Sequence, residues 1–124
     1  MDESLYDQVG GEEFFTRLVD HFYERVAGDE TLRAMYPEDL TESRHHLTLF
    51  LVQYWGGPRN YERERGHPRL RMRHAPFRVT KSARDAWLVA MTGALDTLNE
   101  ELSEAQHEEL LSYFTMAANQ LRNV

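Results

Sequence analysis

The chain has 124 residues, of which 41% are hydrophobic and 28% charged, and a formal net charge of −7; this length and composition suit one compact globular domain spanning residues 1–124 rather than a disordered chain. Because cysteine is absent, disulfides, thiolate nucleophiles and cysteine-based metal centres are excluded, and any metal must be bound by histidine, tyrosine or carboxylate. No apolar run is long enough to span a membrane or serve as a secretory leader, so we expect a cytoplasmic protein.

The first quarter of the chain predicts one long helix between two short turns. Residues 4–9 suit a single helical turn that the Gly10-Gly11 pair breaks. From Glu12 to Val26 the apolar residues recur at the i, i+3, i+4 spacing of an amphipathic helix. Asp29 is placed to cap a further short turn that ends at Tyr36, before a proline.

A second long helix is predicted from about Thr41 to Trp55. Its apolar face contains Leu47, Phe50, Leu51, Tyr54 and Trp55. Gly56-Gly57-Pro58 ends it, and the polar chain from there to about Arg69 is predicted to be irregular. A connection of that length in a small domain is usually functional or mobile.

The second half of the chain predicts one short and two long helices. Leu70 to Ala75 has room for about one turn before a proline, and Ser82 with Asp85 has the spacing of a capping box for the next helix. Ser103 and Gln106 form a capping box for the last one. No stretch alternates with a period of two, so the fold class predicted is all-α.

Positive charge is concentrated between residues 57 and 84. Nine basic residues stand there against only Glu62 and Glu64: Arg59, Arg63, Arg65, Arg69, Arg71, Arg73, Arg78, Lys81 and Arg84. Such a block suits a solvated loop, nucleic acid, phosphate, or the carboxylates of a cofactor. The acidic remainder of the chain and the lack of a known RNA-binding motif argue against nucleic acid.

Histidine and polar aromatic residues are the candidates for chemistry. The six histidines show no paired zinc-ligand spacing, and His74 stands out because it ends the arginine-rich stretch. Tyrosine and tryptophan occur repeatedly on the apolar stripes, where their polar tips either bond to the backbone or converge on a small polar ligand. No nucleophile elbow, phosphate-binding loop or zinc-protease motif is present.

Six stretches occur together in this chain. They are LYDQVGG (5–11), FY (22–23), YP (36–37), QYWGGP (53–58), GHPRLRMRHAPF (66–77) and DAW (85–87). This combination, which extends over nearly the whole chain, resembles the truncated haemoglobins of group II, the O-type.

The resemblance implies a truncated globin fold, a two-over-two helical sandwich around haem b. His74 matches the proximal iron ligand, and Tyr23, Tyr36 and Trp87 match the distal trio of this group. Ser43 and Leu47 occupy distal-helix positions where many globins carry a gate and a polar donor. The resemblance further implies that the haem is lined by Tyr36, Leu47, Phe50, Met72, Phe77 and Met91. It implies that the haem propionates are held by Tyr61, Arg65 and Arg73.

The function implied is reversible binding of dioxygen, and of other small haem ligands, with slow release. Phenol and indole donors in an apolar pocket stabilise a ligand that carries partial negative charge. The alternative is a redox enzyme at the same haem, peroxidase-like or detoxifying nitric oxide, which needs a reductase as electron donor. A cofactor-free helical scaffold is the third hypothesis. No nucleic-acid or membrane partner is expected, and the expected oligomeric state is a monomer or a homodimer.

Overall fold

The computed structural model describes residues 3–124, so Met1 and Asp2 lie outside the described residues. Over that range the chain forms helices and no strand, which confirms the all-α prediction. The helices are α1 (Leu5–Gln8), α2 (Glu12–Ala27), α3 (Glu30–Arg33), α4 (Thr41–Tyr54), α5 (Asn60–Arg65), α6 (Leu70–His74), α7 (Lys81–Thr97) and α8 (Glu104–Leu121), with a 3₁₀ helix at Asn99–Glu101 before α8.

Four long helices form the body of the molecule. α2 packs against α4 and α7, and α7 packs against α8, so the pairs α2/α4 and α7/α8 are joined through α2. The apolar stripe of α2 is buried along its whole length: Phe14, Phe15, Leu18, Val19, Phe22, Tyr23 and Val26. Each large apolar side chain buried in this way contributes about 1.5 to 3 kcal/mol, which makes α2 the centre of the core.

The capping predictions are confirmed at two helices and wrong at a third. The Asp29 side chain accepts from the Leu32 N–H at the start of α3, and Ser103 and Gln106 bond reciprocally at the start of α8. At α7, however, the cap is Thr80, whose hydroxyl accepts from the Ala83 N–H at 3.1 Å. The helix therefore begins before Ser82, the residue the capping-box spacing had indicated.

The region around α4 differs from prediction in two ways. Leu49 and Val52 are buried in addition to Leu51, whereas Tyr54 is 48% exposed. The buried residues of α4 therefore differ from the predicted face, and α4 packs against both α2 and α5. The following connection is not wholly irregular, since residues 60–65 form α5; a helix this short is stabilised by tertiary packing and not by its own propensity.

The turn after α4 packs against α1, near the N-terminus. The Tyr6 N–H donates to the Trp55 carbonyl at 3.0 Å, and a Cβ on Gly57 would lie 2.7 Å from the Tyr6 ring. Only glycine therefore allows this close approach. None of the helices in residues 3–124 combines the length and apolar character needed to cross a membrane.

Candidate functional site

His74 is the last residue of α6 and is half-buried. Its Nδ1 lies 2.7 Å from the Leu70 carbonyl oxygen, one helical turn earlier. Because a carbonyl only accepts, this hydrogen bond places a proton on Nδ1, and in the neutral imidazole the lone pair is then on Nε2. An imidazole oriented in this way is the usual form of a metal-binding histidine.

The loop before His74 is held together by Arg73. Its guanidinium donates to the carbonyls of Pro68 at 2.7 Å and Arg65 at 2.7 Å, with the His67 carbonyl at 3.4 Å. Arg69, the residue immediately before α6, is in the left-handed conformation, with φ of 43°. Arg73 thus spans the turn and fixes where α6 begins.

Arg73 and Arg65 lie over the same aromatic ring. Their guanidinium carbons are 6.0 and 5.9 Å from the ring centroid of Tyr61, which is buried on α5. Arg65 also has one guanidinium nitrogen 3.3 Å from Nδ1 of His46 on α4. The three predicted propionate partners are therefore neighbours, gathered where α4, α5 and α6 meet.

Apolar side chains next to His74 are exposed. Met72 is 59% exposed and Phe77 is 51% exposed, with the Phe77 ring 6.5 Å from the imidazole. Exposed apolar groups beside a metal-type histidine suit a flat apolar group lying against them, because such a group would remove them from water. On this observation the residues fit a haem.

Tyr23, Tyr36 and Trp87 come together from three parts of the chain. The Tyr23 and Tyr36 rings meet edge to face at 5.6 Å, and Trp87 on α7 lies 5.4 Å from Phe22, the neighbour of Tyr23 on α2. Trp87 is also a neighbour of Tyr36: against the larger effect of burial, it acts to lower the pKa of that phenol. Ser43 is likewise a neighbour of Tyr23, whose pKa it acts to lower against the larger effect of burial.

Burial keeps both phenols protonated. It raises the pKa of Tyr23, an effect to which the adjacent Tyr36 adds, and it raises the pKa of Tyr36, against which the neighbouring Trp87 acts. The phenolate form is disfavoured where water is excluded. At neutral pH this cluster therefore holds two O–H donors and one N–H donor.

The remaining predicted wall residues lie at different depths. Leu47 and Phe50 on α4 are half-buried, and Phe50 meets the Tyr61 ring at 5.7 Å. Met91 on α7 is enclosed in the core at 1% exposure. In residues 3–124, no group of three or more His, Asp or Glu side chains is arranged to hold a metal ion.

Two contacts at this site were not foreseen from the sequence. Leu70 orients His74 through a carbonyl, and the only sequence signal for it is the i, i+4 spacing within the predicted short helix. His46 meets Arg65 because α4 packs against α5, and no local pattern indicates that contact.

Comparison with known proteins gives the class. Residues 4–123 match the family model described as Bacterial-like globin. The group 2 truncated haemoglobin of Bacillus subtilis is 50% identical over 96 residues, which cover 77% of this chain and 72% of that protein. The solved haemoglobin of Thermobifida fusca is 50% identical, with a TM-score of 0.95 and 98% of each chain covered.

A further solved structure, described as a truncated oxygen-avid haemoglobin from Bacillus subtilis, is 41% identical with a TM-score of 0.91, covering 98% of this chain and all of that one (100%). The chain belongs to the bacterial-like globin family, and its helix pairs α2/α4 and α7/α8 form the two-over-two sandwich of the truncated haemoglobins. Membership implies binding of small ligands at a haem. The resemblance to group II members is confirmed.

Proposed function

We propose that this chain binds haem b with His74 as the iron ligand and retains dioxygen through Tyr23, Tyr36 and Trp87. The observation that carries the proposal is the 2.7 Å hydrogen bond from His74 Nδ1 to the Leu70 carbonyl, which leaves Nε2 free to donate to a metal. Haem b would supply an iron centre that binds dioxygen and other small molecules reversibly.

Residues of this chain are candidates for the apolar walls around the haem and for the partners of its propionates. Met72 and Phe77 offer exposed apolar surface beside His74, and the half-buried Leu47 and Phe50 would continue the apolar lining. Met91, which is enclosed in the core, would support this lining from behind. Arg65 and Tyr61 would hold the propionates, since a guanidinium pairs well with a carboxylate. Arg73 already donates to backbone carbonyls, so its part is mainly to hold the loop in place.

Three donors around the bound ligand would make its release slow. A ligand that gains partial negative charge on binding is stabilised by each N–H or O–H directed at it, by about 1 to 2 kcal/mol in a site that excludes water. Two such bonds slow dissociation by roughly a hundredfold. Slow release suits retention, sensing or redox chemistry more than rapid delivery of oxygen.

The test is the visible spectrum of the chain reconstituted with haem, in ferric, ferrous and oxygenated forms, beside H74A. The matched control is H67A, because His67 lies in the same loop and its Nδ1 accepts only from the Arg69 N–H. We expect a stable oxygenated spectrum in the parent and in H67A, and a lost or altered one in H74A.

Two results would overturn the proposal at different points. If the parent takes up no haem, the cofactor assignment is wrong. If H74A gives the parent's spectrum, the ligand assignment alone is wrong. Turnover of peroxide or nitric oxide with an added reductant would favour the redox enzyme over the oxygen-retaining protein.

A further inference from the structure

The last residues of the chain return to the segment that carries His74. Asn123 follows α8, and its backbone N–H donates to the Val79 carbonyl at 3.0 Å. The Val79 N–H in turn donates to Oδ1 of Asn123 at 2.9 Å. The side-chain Nδ2 donates to the Phe77 carbonyl at 2.9 Å and lies 3.4 Å from the His74 carbonyl. Asn123 therefore uses its acceptor and its donors on one short stretch.

The conformation of residues 75–80, which follow α6, depends on these hydrogen bonds with Asn123. Residues 75–80 belong to no helix, and Pro76 has no N–H to contribute. Within the segment the Phe77 N–H bonds to the His74 carbonyl at 2.9 Å, while Val79, which is buried, has both its N–H and its carbonyl paired with Asn123. Since buried backbone groups need partners, the tail holds the path of the chain after α6.

We propose that Asn123 is a positioning residue for His74, a role that rests on the proposed function of His74 as the iron ligand. The imidazole is oriented from the N-terminal side by the Leu70 carbonyl, and the backbone on the C-terminal side is fixed by Asn123. α6 has only 5 residues, so it is too short to hold its own last residue rigidly. The tail acts as the second anchor.

The chemistry of the contact requires an amide. Aspartate at this position keeps the acceptor for Val79 but loses the donors, and it turns a negative oxygen toward the Phe77 carbonyl. N123D should therefore disturb the position of His74 almost as much as N123A does. N123Q keeps both groups on a longer stem and should recover part of the effect. The matched control is Asn119, an exposed residue of α8 whose Oδ1 accepts from Arg84 at 2.8 Å.

The first measurement follows hydrogen exchange of the Val79 amide in the full chain, with and without added haem. Losing one hydrogen bond of ordinary strength raises local opening by about tenfold, so we expect faster exchange of that order in N123A. N119A should match the parent. Unchanged exchange at Val79 in N123A would overturn the proposal whether or not haem binds.

The second measurement uses the haem-loaded chain. We expect the iron–histidine stretching band of the ferrous protein to shift or broaden in N123A and N123D, and haem to transfer faster to excess apomyoglobin. N123Q should lie between these variants and the parent, and thermal unfolding confirms that each variant is folded. If N123A does not fold, the comparison of N123D with N123Q decides.

The outcomes separate this role from the function on which it rests. Faster Val79 exchange with an unchanged band and an unchanged rate of haem loss means that Asn123 only supports the fold, which overturns the positioning role. A parent chain that takes up no haem, or an H74A variant with the parent's spectrum, overturns the ligand assignment instead, and with it any role of Asn123 toward the iron.

Discussion

Replacing Trp87 with phenylalanine removes one N–H donor from the cluster of Tyr23, Tyr36 and Trp87 and leaves an aromatic ring in place. The ring of Trp87 lies 5.4 Å from Phe22 and 6.0 Å from Phe114, so a phenyl group keeps much of this packing. The loss is then close to that of a single hydrogen bond, about 1 to 2 kcal/mol. Oxygen dissociation should become about 5 to 30 times faster.

The value is expected near the lower end of that range. Tyr36 is a neighbour of Trp87, and its phenol can still donate to the ligand after the indole N–H is removed. The assay is stopped-flow displacement of oxygen by excess carbon monoxide. The Y36F variant and the double variant measure how far the two donors act together.

Trp55 provides the matched control. It is the other tryptophan of the chain, and its Nε1 is buried without a hydrogen-bond partner in the described part of the chain. Its ring packs on Tyr54 at 5.0 Å and Tyr113 at 5.5 Å. W55F should leave the dissociation rate unchanged. An unchanged rate in W87F would refute the reasoning, because the indole would then not donate to the bound ligand.

Two further predictions concern stability. G57A should lower the free energy of unfolding by about 1 to 3 kcal/mol, because the new Cβ would lie 2.7 Å from the Tyr6 ring. In the control variant G28A the new Cβ meets only a backbone oxygen, at 3.8 Å. Equal urea midpoints for the two variants would contradict the close approach of Gly57 to Tyr6. Burial, then the adjacent Arg65, lower the pKa of His46 below its unfolded value of about 6.5. The folded state therefore binds a proton at His46 less readily than the unfolded state, and the free energy of unfolding should fall as the pH drops below about 6.5. In urea titrations at several pH values, H46Q should lose part of this pH dependence. A pH dependence in H46Q identical to that of the parent would exclude His46 as its source.

Local chemistry explains what was predictable in the fold. The bounds of α2, the Asp29 cap and the capping box of Ser103 all depend on residues within one or two turns of each other. The same holds for α6, whose short helical turn was expected before Pro76. The cap of α7 was misplaced because Thr80 and Ser82 are both good capping residues, and only the folded chain selects between them.

The candidate site was named by resemblance rather than by spacing. From the residues alone His74 was one histidine among six. The residues alone also did not decide whether the tyrosines are simply buried in the core or contact a ligand. The structure adds the Leu70 hydrogen bond and the meeting of Tyr23 with Tyr36. The roles of these residues toward haem and oxygen stay predictions that the spectra and dissociation rates decide.

The sequence by itself determined the helical class, the long helices, the caps of α3 and α8, and the family, because periodicity and capping are properties of neighbouring residues. Only the tertiary structure decided that Asn123 meets Val79 across 44 positions of sequence, and that Arg65 meets His46 between α4 and α5. The physical reason is that a polar side chain can bond to any suitable group the fold brings within reach, and the packing of the helices decides which group that is.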